Sequence, residues 1–415
     1  MDVESTTDPT PWPSWSTVRG PWGMLAGAWT MFLFVGAYAI TPSSLLPVVM
    51  ADFGIQEAAA AWIITMPQVA ATVVGLPIGM YLDRVDNRLA IAFATGTLLV
   101  AGLGGWLAGS ATAYWWLLAT RLAGGVALFI LWTASTNLLS DAFPAGSQGT
   151  AVSLFTTGYP MGYAFGQVAG PALNTVVPWS SIFAIYSVLT AGAFGVFWLT
   201  GEDVVEGSAG DAASTPTLSD FGQVLTNRGV WGVCTLSLLM YTLYMIFNGW
   251  MPTYVADTLS VSLTRAGAYT ALFPAIGLAA RPMGGVLSDR LFDRRRRPVL
   301  LVGFGATAAL VAATAFGTSA VALVGGLVAT GFVLQLPLGL LYAYVQDFVD
   351  DGVASTAIAA VSVVGWLGAF AGPVVAGALI EATGRYVAVF ALSVALAVGG
   401  TAVAALVADP RAHAR

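Results

Sequence analysis

Long apolar segments, separated by short polar breaks, run along the whole chain. Most have about the 20 residues that an α-helix needs to cross the roughly 30 Å hydrocarbon core of a bilayer. Because a backbone in lipid must satisfy its hydrogen bonds within its own segment, the pattern predicts transmembrane helices. Twelve are predicted, at residues 24–49, 58–82, 89–109, 112–139, 149–176, 180–200, 230–255, 265–287, 298–317, 320–346, 353–380 and 386–408.

The composition supports an all-α membrane protein. Of the 415 residues, 57% are apolar and 9% are charged, whereas a soluble surface needs roughly a quarter or more charged positions. Residues 1–20 are polar and lack the features of a signal peptide, so they are predicted to form a disordered cytoplasmic tail. The polar stretch 201–227 is predicted to be a cytoplasmic linker, and 409–415 a second tail.

A ten-residue pattern, Gly-x-x-x-Asp-Arg-x-x-x-Arg, occurs twice, at Gly79–Arg88 and Gly285–Arg294. Each copy follows an apolar segment, and Pro-x-x-x-Ala-Asp precedes both copies at nearly the same distance. The copies are 206 positions apart, which indicates two homologous halves in one chain. We therefore predict two pseudo-symmetric six-helix bundles, at residues 21–200 and 228–408.

The arginines orient the predicted helices, because cytoplasmic loops of membrane proteins carry an excess of positive charge. With a cytoplasmic N-terminus, only Arg265 and Arg385 fall in outer loops. Both termini are therefore predicted to face the cytoplasm, in a multi-pass protein of the plasma membrane. The arginines then placed inside are Arg19, Arg84, Arg88, Arg228, Arg290, Arg294 to Arg297, Arg411 and Arg415.

The duplicated pattern occupies the cytoplasmic turns after the second and eighth predicted helices. Its glycine can let helices approach closely, its Asp can accept from the amides that open the next helix, and its arginines can reach carboxylates or helix C-termini nearby. The alternative is that these charges only enforce orientation, which leaves two copies in register unexplained. The predicted conformational gate consists of Gly79, Asp83, Arg84, Arg88, Gly285, Asp289, Arg290 and Arg294.

These loops resemble the signature of the major facilitator superfamily, and the resemblance extends over residues 22–408. It implies a twelve-helix transporter in which the loops latch the outward-facing state. Arg121-x-x-Gly124-Gly125 is similar to the family's fourth-helix motif. Glycines at helical spacing in the fifth and eleventh segments predict smooth packing ridges, with prolines that kink the helices. These residues are Gly158, Gly162, Gly166, Gly170, Pro171, Gly365, Gly368, Gly372, Pro373 and Gly377.

Two charges are predicted to lie deep in the membrane, Arg121 and Arg281. Each is on the order of 12 to 14 Å from a helix end, by the 1.5 Å rise per residue. A guanidinium at that depth costs at least roughly 2.5 to 3.5 kcal/mol unless it faces a cavity or a counter-charge. No Asp or Glu is predicted at a comparable depth, so the substrate is expected to supply the charge as an anion.

Arg281 is the stronger candidate for anion binding. The internal repeat aligns it with Gly75, so the shared architecture does not require an arginine there. The sequence from Arg281 to Gly285 resembles the eighth helix of nitrate/nitrite and monocarboxylate porters, which implies that Arg281 holds an anion. Gly75 stands where nitrate/nitrite porters have a second arginine. The alternative is that Arg281 snorkels or bonds backbone carbonyls, and Arg121 can equally have a structural or coupling role.

Polar and aromatic residues at helical spacing predict the rest of a substrate cavity. Tyrosine hydroxyls and side-chain amides can donate to oxyanions without adding charge. For any single residue, hydrogen bonding between helices is the alternative. With Arg281 and Arg121, the predicted substrate-binding residues are Tyr38, Tyr159, Tyr163, Gln167, Tyr241, Tyr244, Asn248, Gln335 and Tyr342, and Gln346 shares the face of the last two.

These features predict a secondary or facilitated transporter that works by alternating access, for a small anion such as nitrate, nitrite or a short organic carboxylate. The site needs no cofactor and no metal, and no nucleic-acid partner is expected. A monomer in the lipid bilayer is predicted. Because no carboxylate is available as a membrane-embedded proton carrier, proton coupling would use the substrate or peripheral acids, and exchange or facilitated uptake is equally open.

Three other functions remain to be compared with anion transport. A multidrug exporter, working as an antiporter, is favoured by the glycine-proline fifth helix and the aromatic content, but the membrane lacks an acid to attract cationic drugs. A membrane-embedded enzyme is not expected, because Cys234 and His413 are the only cysteine and histidine. A receptor of the same fold is not excluded by residue types.

Overall fold

The computed structural model describes residues 20–82, 85–144, 147–201, 218–317, 319–350 and 353–410. Within these ranges the regular elements are α-helices, which confirms the all-α prediction. The predicted N-terminal tail up to Arg19, most of the linker and the last five residues lie outside the described residues. Asp83 and Arg84 of the predicted gate lie outside them as well.

The N-terminal half is built from the first six predicted segments. Pro21 opens the first helix, where a missing backbone N–H costs nothing. Asp86 caps the third segment by accepting from the amides of Arg88 and Leu89 at 2.7 and 3.4 Å. The helices are α1 (Pro21–Ser44), α2 (Leu46–Phe53), α3 (Glu57–Leu82), α4 (Asn87–Ser110), α5 (Tyr114–Ala142), α6 (Gln148–Thr156), α7 (Gly158–Leu173) and α8 (Ser181–Thr200).

The C-terminal half repeats this order, after a short helix that the sequence did not predict. That helix, α9 (Leu218–Thr226), occupies the end of the predicted linker. The eighth predicted segment is interrupted twice, at Ala271 and Ile276. The helices of this half are α10 (Arg228–Leu259), α11 (Leu263–Thr270), α12 (Leu272–Ala275), α13 (Gly277–Leu291), α14 (Arg297–Thr314), α15 (Ala320–Gln335), α16 (Leu340–Gln346), α17 (Ala354–Thr383) and α18 (Val387–Leu406).

Eleven of the described segments are long and apolar enough to cross a membrane. The fifth predicted segment completes the set of twelve, although it is divided at Thr157 into α6 and α7. Neither piece alone reaches the 18 residues of the shortest of the other eleven. The described helices therefore match the twelve predicted segments one by one.

The glycine ridges lie where helices pack backbone to backbone, as predicted. A side chain at Gly162 of α7 would collide with the carbonyl oxygen of Leu33 in α1, and one at Gly368 of α17 would collide with that of Leu238 in α10. The same contact is therefore made in both halves, between the first and fifth segments and between the seventh and eleventh. Glycine permits this approach because it has no Cβ.

The two halves meet near the end of the molecule that carries Glu57 and Glu381, which is the predicted outer end. The Glu381 carboxylate of α17 accepts from the backbone N–H of Ala58, in the first turn of α3, at 3.0 Å. A Cβ at Gly377 would lie 2.7 Å from the Glu57 carbonyl oxygen. These contacts place α3 and α17 side by side across the interface.

Candidate functional site

Arg281 lies half-buried in the C-terminal half, one turn into α13. Its Nε and Nη2 both donate to Oε1 of Gln335, at 3.3 and 3.1 Å. The guanidinium carbon is 5.7 Å from the centroid of the Tyr244 ring, a distance at which a cation is attracted by an aromatic face. In the part of the chain that the structure describes, Arg281 has no carboxylate partner, since the ion pair found there joins Arg296 and Asp289.

Gln335 is placed to hold Arg281. It is fully buried at the end of α15, and its Nε2 donates to the carbonyl oxygens of Phe273 and Gly331 at 2.8 and 3.1 Å. Both amide hydrogens are thus committed, so only its oxygen faces the guanidinium. A side chain at Gly277 would collide with that oxygen. The break in the eighth segment at Ile276 therefore brings a glycine to the position where Gln335 approaches.

Tyrosines of the seventh and tenth segments lie near the Arg281 guanidinium. The Tyr244 ring packs against Phe273 at a tilt, with 5.8 Å between ring centroids, and the hydroxyls of Tyr241 and Tyr342 lie 3.0 Å apart. The Tyr241 ring also packs against Trp366 of α17 at 6.2 Å. The structure thus brings together the predicted residues of the seventh, eighth and tenth segments, with hydroxyls bonded to each other.

The predicted residues of the fifth segment face this group from the other half. The Tyr163 ring is stacked on Tyr244 at 6.3 Å and 17°, and its hydroxyl lies 3.2 Å from the Tyr159 hydroxyl. Gln167 donates through Nε2 to Oδ1 of Asn248 at 3.2 Å, across the interface. These contacts join the halves next to the Arg281 site.

Arg121 occupies a different environment from Arg281. It is fully buried in α5, and it donates to three backbone carbonyls: Tyr38 at 2.7 Å, Ala39 at 2.6 Å and Ile63 at 2.9 Å. Two of these carbonyls lack their usual helical donor, because the residues four positions further on are Pro42 and Pro67. The guanidinium thus replaces backbone N–H groups that the prolines remove.

Tyr38 lies beside Arg121 rather than beside Arg281. Its ring is 5.0 Å from the Arg121 guanidinium carbon and 5.6 Å from the ring of Phe183 in α8. It is 1% exposed, as Tyr163 of the fifth segment is, and its role in substrate binding stays a prediction. Arg121 and Tyr38 together connect α1, α3, α5 and α8 through hydrogen bonds and ring contacts.

In the first gate loop, Arg88 makes the contact with a helix end that the sequence predicted. Its Nη2 donates to the carbonyl oxygen of Trp198 at 2.8 Å, in the last turn of α8. The guanidinium also stacks on the Trp198 ring at 3.9 Å. The cap of α4 is Asp86. Gly79 lies within α3, four residues before the undescribed Asp83 and Arg84.

The second gate loop uses other residues than the sequence repeat predicts. The equivalent contact is made by Arg297, which donates through Nε to the Ala404 carbonyl at 3.1 Å and through Nη2 to the Ala405 carbonyl, near the end of α18. Asp289 does not accept from helix amides but pairs with Arg296 at 2.7 Å. Arg290 and Arg294 are exposed, and Arg294 has a φ of 64°.

The predicted packing role of Gly285 is also corrected. A Cβ at Gly285 would meet nothing within 4 Å, whereas one at Gly284 would collide with the Leu336 carbonyl oxygen. The helix therefore turns the neighbouring glycine toward α15 and leaves Gly285 open in this conformation. Because both residues are glycine, the sequence pattern could not distinguish them.

Three further residues near the site escaped the sequence analysis. Gln68 of α3 is 1% exposed and its amide lies 3.5 Å from the Tyr163 hydroxyl. Gly277 accommodates Gln335, and Phe129 packs its ring against Gly75 with 3.3 Å between a ring carbon and the position of a Cβ. The alignment of the two halves provides a signal for Phe129, because it is the repeat equivalent of Gln335.

Comparison with known proteins agrees with this architecture. The family model described as Major Facilitator Superfamily matches residues 27–373. A nitrite extrusion protein of Bacillus subtilis (strain 168) is 23% identical over 83% of this chain and 84% of its own length. A 3-(3-hydroxy-phenyl)propionate transporter of Escherichia coli (strain K12) is 29% identical over 76% of each chain.

Solved structures share the fold. A bacterial homolog of the human lysosomal transporter Spinster, in an inward-facing and unoccupied conformation, matches with a TM-score of 0.77 at 15% identity, over 94% of this chain and 97% of that one. The family match extends from the first segment into the eleventh, and the fold agrees over nearly the whole length. This chain is a member of the major facilitator superfamily.

Proposed function

We propose that this protein moves a small anion across the plasma membrane by alternating access, and that Arg281 binds the anion. The observation that carries the proposal is the partnering of Arg281: its side-chain acceptor is a neutral amide, with no carboxylate among the described residues. A guanidinium inside a membrane bundle is costly unless a charge of opposite sign compensates it. An anionic substrate supplies that charge.

The donors left on Arg281 fit an oxyanion. A guanidinium has five N–H groups, and two are directed at Gln335. The others are available to a carboxylate or nitrate, to which arginine donates in a bidentate geometry. Gln335 contributes positioning only, because its own amide hydrogens are used by Phe273 and Gly331.

The named activities of relatives support an anion over a cationic drug. One relative is named for nitrite extrusion and another for transport of a hydroxylated phenylpropionate, and both compounds are anions at neutral pH. A multidrug exporter finds no comparable support. The orientation with both termini in the cytoplasm, and the monomeric state, remain parts of the proposal.

The test is uptake of radiolabelled nitrate, nitrite, acetate and benzoate into proteoliposomes that contain the purified protein. We expect saturable uptake of at least one anion by the wild type and its loss in Arg281→Gln. Arg385→Gln is the matched control, because Arg385 is exposed in the predicted outer loop between α17 and α18. Equal uptake by wild type and Arg281→Gln would refute the assignment of Arg281.

A second variant tests the charge argument without removing the arginine. Gln335→Glu places a carboxylate where Arg281 now has an amide oxygen, so the guanidinium gains an internal counter-charge. Uptake is expected to fall as it does in Arg281→Gln. Retained uptake in Gln335→Glu would show that the anion does not depend on an uncompensated Arg281.

A further inference from the structure

The two halves differ at one equivalent pair of positions beside the proposed anion site. Arg281 and Gln335 are in contact in the C-terminal half. Their equivalents, 206 positions earlier, are Gly75 and Phe129, and these are also in contact, with 3.3 Å between a ring carbon and the Cβ position of Gly75. The contact between the second and fourth segments therefore contains an aromatic ring. The equivalent contact between the eighth and tenth segments contains a cation.

The ring of Phe129 occupies the place in the N-terminal half that corresponds to the Arg281 side chain in the C-terminal half. A Cβ at Gly75 already lies at 3.3 and 3.4 Å from two ring carbons, so a longer side chain cannot extend along this path without displacing Phe129. Equivalent positions in the two halves lie on opposite sides of a pseudo-twofold axis. A molecule bound at Arg281 between the halves would therefore face the half that carries Phe129, whose ring is half-buried.

Four tyrosines near Arg281 have their hydroxyls paired with one another. The Tyr163 and Tyr159 hydroxyls are 3.2 Å apart, and those of Tyr241 and Tyr342 are 3.0 Å apart, so these groups bond to each other. The Tyr244 ring lies between the Arg281 guanidinium and Tyr163. A ligand with polar groups over its whole surface would leave several of them facing carbon.

We propose that the substrate is a monocarboxylate with an aromatic ring, whose carboxylate binds Arg281 and whose ring packs toward Phe129 over Gly75. This proposal rests on the anion transport proposed above and names its substrate class. Two carboxylate oxygens match the donors that remain on Arg281. An aromatic ring gains from edge or offset contacts with other rings beyond the area that it buries. Nitrate has no part that could use the aromatic side.

The experiment measures binding of benzoate, 3-phenylpropionate, acetate and nitrate to the purified protein in nanodiscs, by competition and by thermal shift. The wild type is expected to prefer the two aromatic acids. Phe129→Leu keeps an apolar side chain but removes the ring, so affinity for the aromatic acids should fall about two- to tenfold while affinity for acetate stays within about twofold. Phe93→Leu is the control, because Phe93 is 68% exposed on α4.

A double variant tests the same idea as a gain of function. Gly75→Arg with Phe129→Gln copies the pair of the C-terminal half into the N-terminal half. It should weaken binding of the aromatic acids and strengthen binding of nitrate. Thermal unfolding without ligand shows whether each variant is folded before affinities are compared.

The outcomes separate this inference from the one that it rests on. If Arg281→Gln abolishes binding of all anions but Phe129→Leu affects aromatic acids and acetate equally, the aromatic substrate class is overturned and anion transport stands. The aromatic substrate class is also overturned if the wild type binds nitrate or acetate more tightly than benzoate. If Arg281→Gln binds every anion as the wild type does, both proposals fail.

Discussion

Arg121, which is fully buried, and Arg281, which is half-buried, show how one residue type acquires different roles from its surroundings. Arg121 donates to three backbone carbonyls. Two of these carbonyls have a proline four residues further on, where a helix would otherwise supply an N–H. Arg281 has its acceptor in a side-chain amide and an aromatic face nearby. The Arg121 guanidinium bonds the backbone of its own half, whereas the Arg281 guanidinium retains donors for a ligand. Function at this site therefore depends on which N–H donors of the guanidinium the fold leaves unused.

Arg121→Gln is expected to destabilise the protein by about 2–4 kcal/mol, because buried carbonyls lose hydrogen bonds to a charged donor. The assignment to proline-exposed carbonyls predicts partial rescue by Pro42→Ala and Pro67→Ala, which restore helical N–H donors. Unfolding in detergent of the wild type, Arg121→Gln, the Pro42→Ala/Pro67→Ala double variant and the triple variant measures the coupling. Additive effects, with no rescue by the alanines, would contradict the structural role given to Arg121.

The sequence could locate both arginines but could not assign them. Both stand in apolar helices at similar depth, and the difference arises from residues distant in the chain, such as Tyr38 and Ile63 for Arg121 and Gln335 for Arg281. Residue spacing within a helix and the internal repeat do not show which residues, distant in the chain, contact each arginine. The stripe of Tyr241, Tyr244 and Asn248, by contrast, follows from helix geometry and was predicted.

At the scale of helices, the glycine ridges and the loop caps determine how segments pack. The ridges follow from local spacing and were predictable, because four-residue spacing puts glycines on one face. The loops were less predictable. The repeat aligns Arg88 with Arg294, but Arg297 makes the contact with the last turn of its neighbour. The contacting arginine therefore lies three positions further along in the second loop, although the pattern itself is duplicated.

Gly162→Ala is expected to destabilise the N-terminal half by about 1–3 kcal/mol, since its methyl group would collide with the Leu33 carbonyl and force α1 and α7 apart. Gly192→Ala in α8 is the matched control. A Cβ there meets nothing within 4 Å, so the helix should gain about 0.5–1 kcal/mol from the lower backbone entropy of alanine. Thermal unfolding in detergent compares the two, and equal shifts would contradict the ridge.

For the whole molecule, contacts between the halves gather toward the predicted outer end and the midplane. Glu381 acts as a cap for α3 across the interface, and Trp62 packs against Phe370 with 5.4 Å between ring centroids. Toward the middle, Gln167 and Asn248 join the halves. A transporter that alternates access must break the outer contacts to open on that side. The cap by Glu381 is therefore expected to favour the closed outer end.

Glu381→Ala should shift the protein toward an open outer end, because the α3 N-terminus loses a carboxylate worth about 0.3–1 kcal/mol, which is a change of about two- to fivefold in the equilibrium. Spin labels at Ala111→Cys and Thr258→Cys, in a Cys234→Ala background, report the separation by pulsed electron resonance.

Asp52→Asn is the control for that shift, because Asp52 accepts from Trp179 at 2.6 Å within one half. It should leave the distance distribution between the labels unchanged. An identical distribution in wild type and Glu381→Ala would show that the cap does not hold the outer end closed.

The most direct test of the central claim compares charged and neutral ligands of the same shape. Equilibrium binding of benzoate and benzamide, and of acetate and acetamide, is measured on the wild type and Arg281→Gln in nanodiscs. The account predicts that the wild type binds the carboxylate of at least one pair and not its amide, and that Arg281→Gln binds neither. Amides that bind the wild type as tightly as the carboxylates, or carboxylate binding that survives in Arg281→Gln, would contradict it.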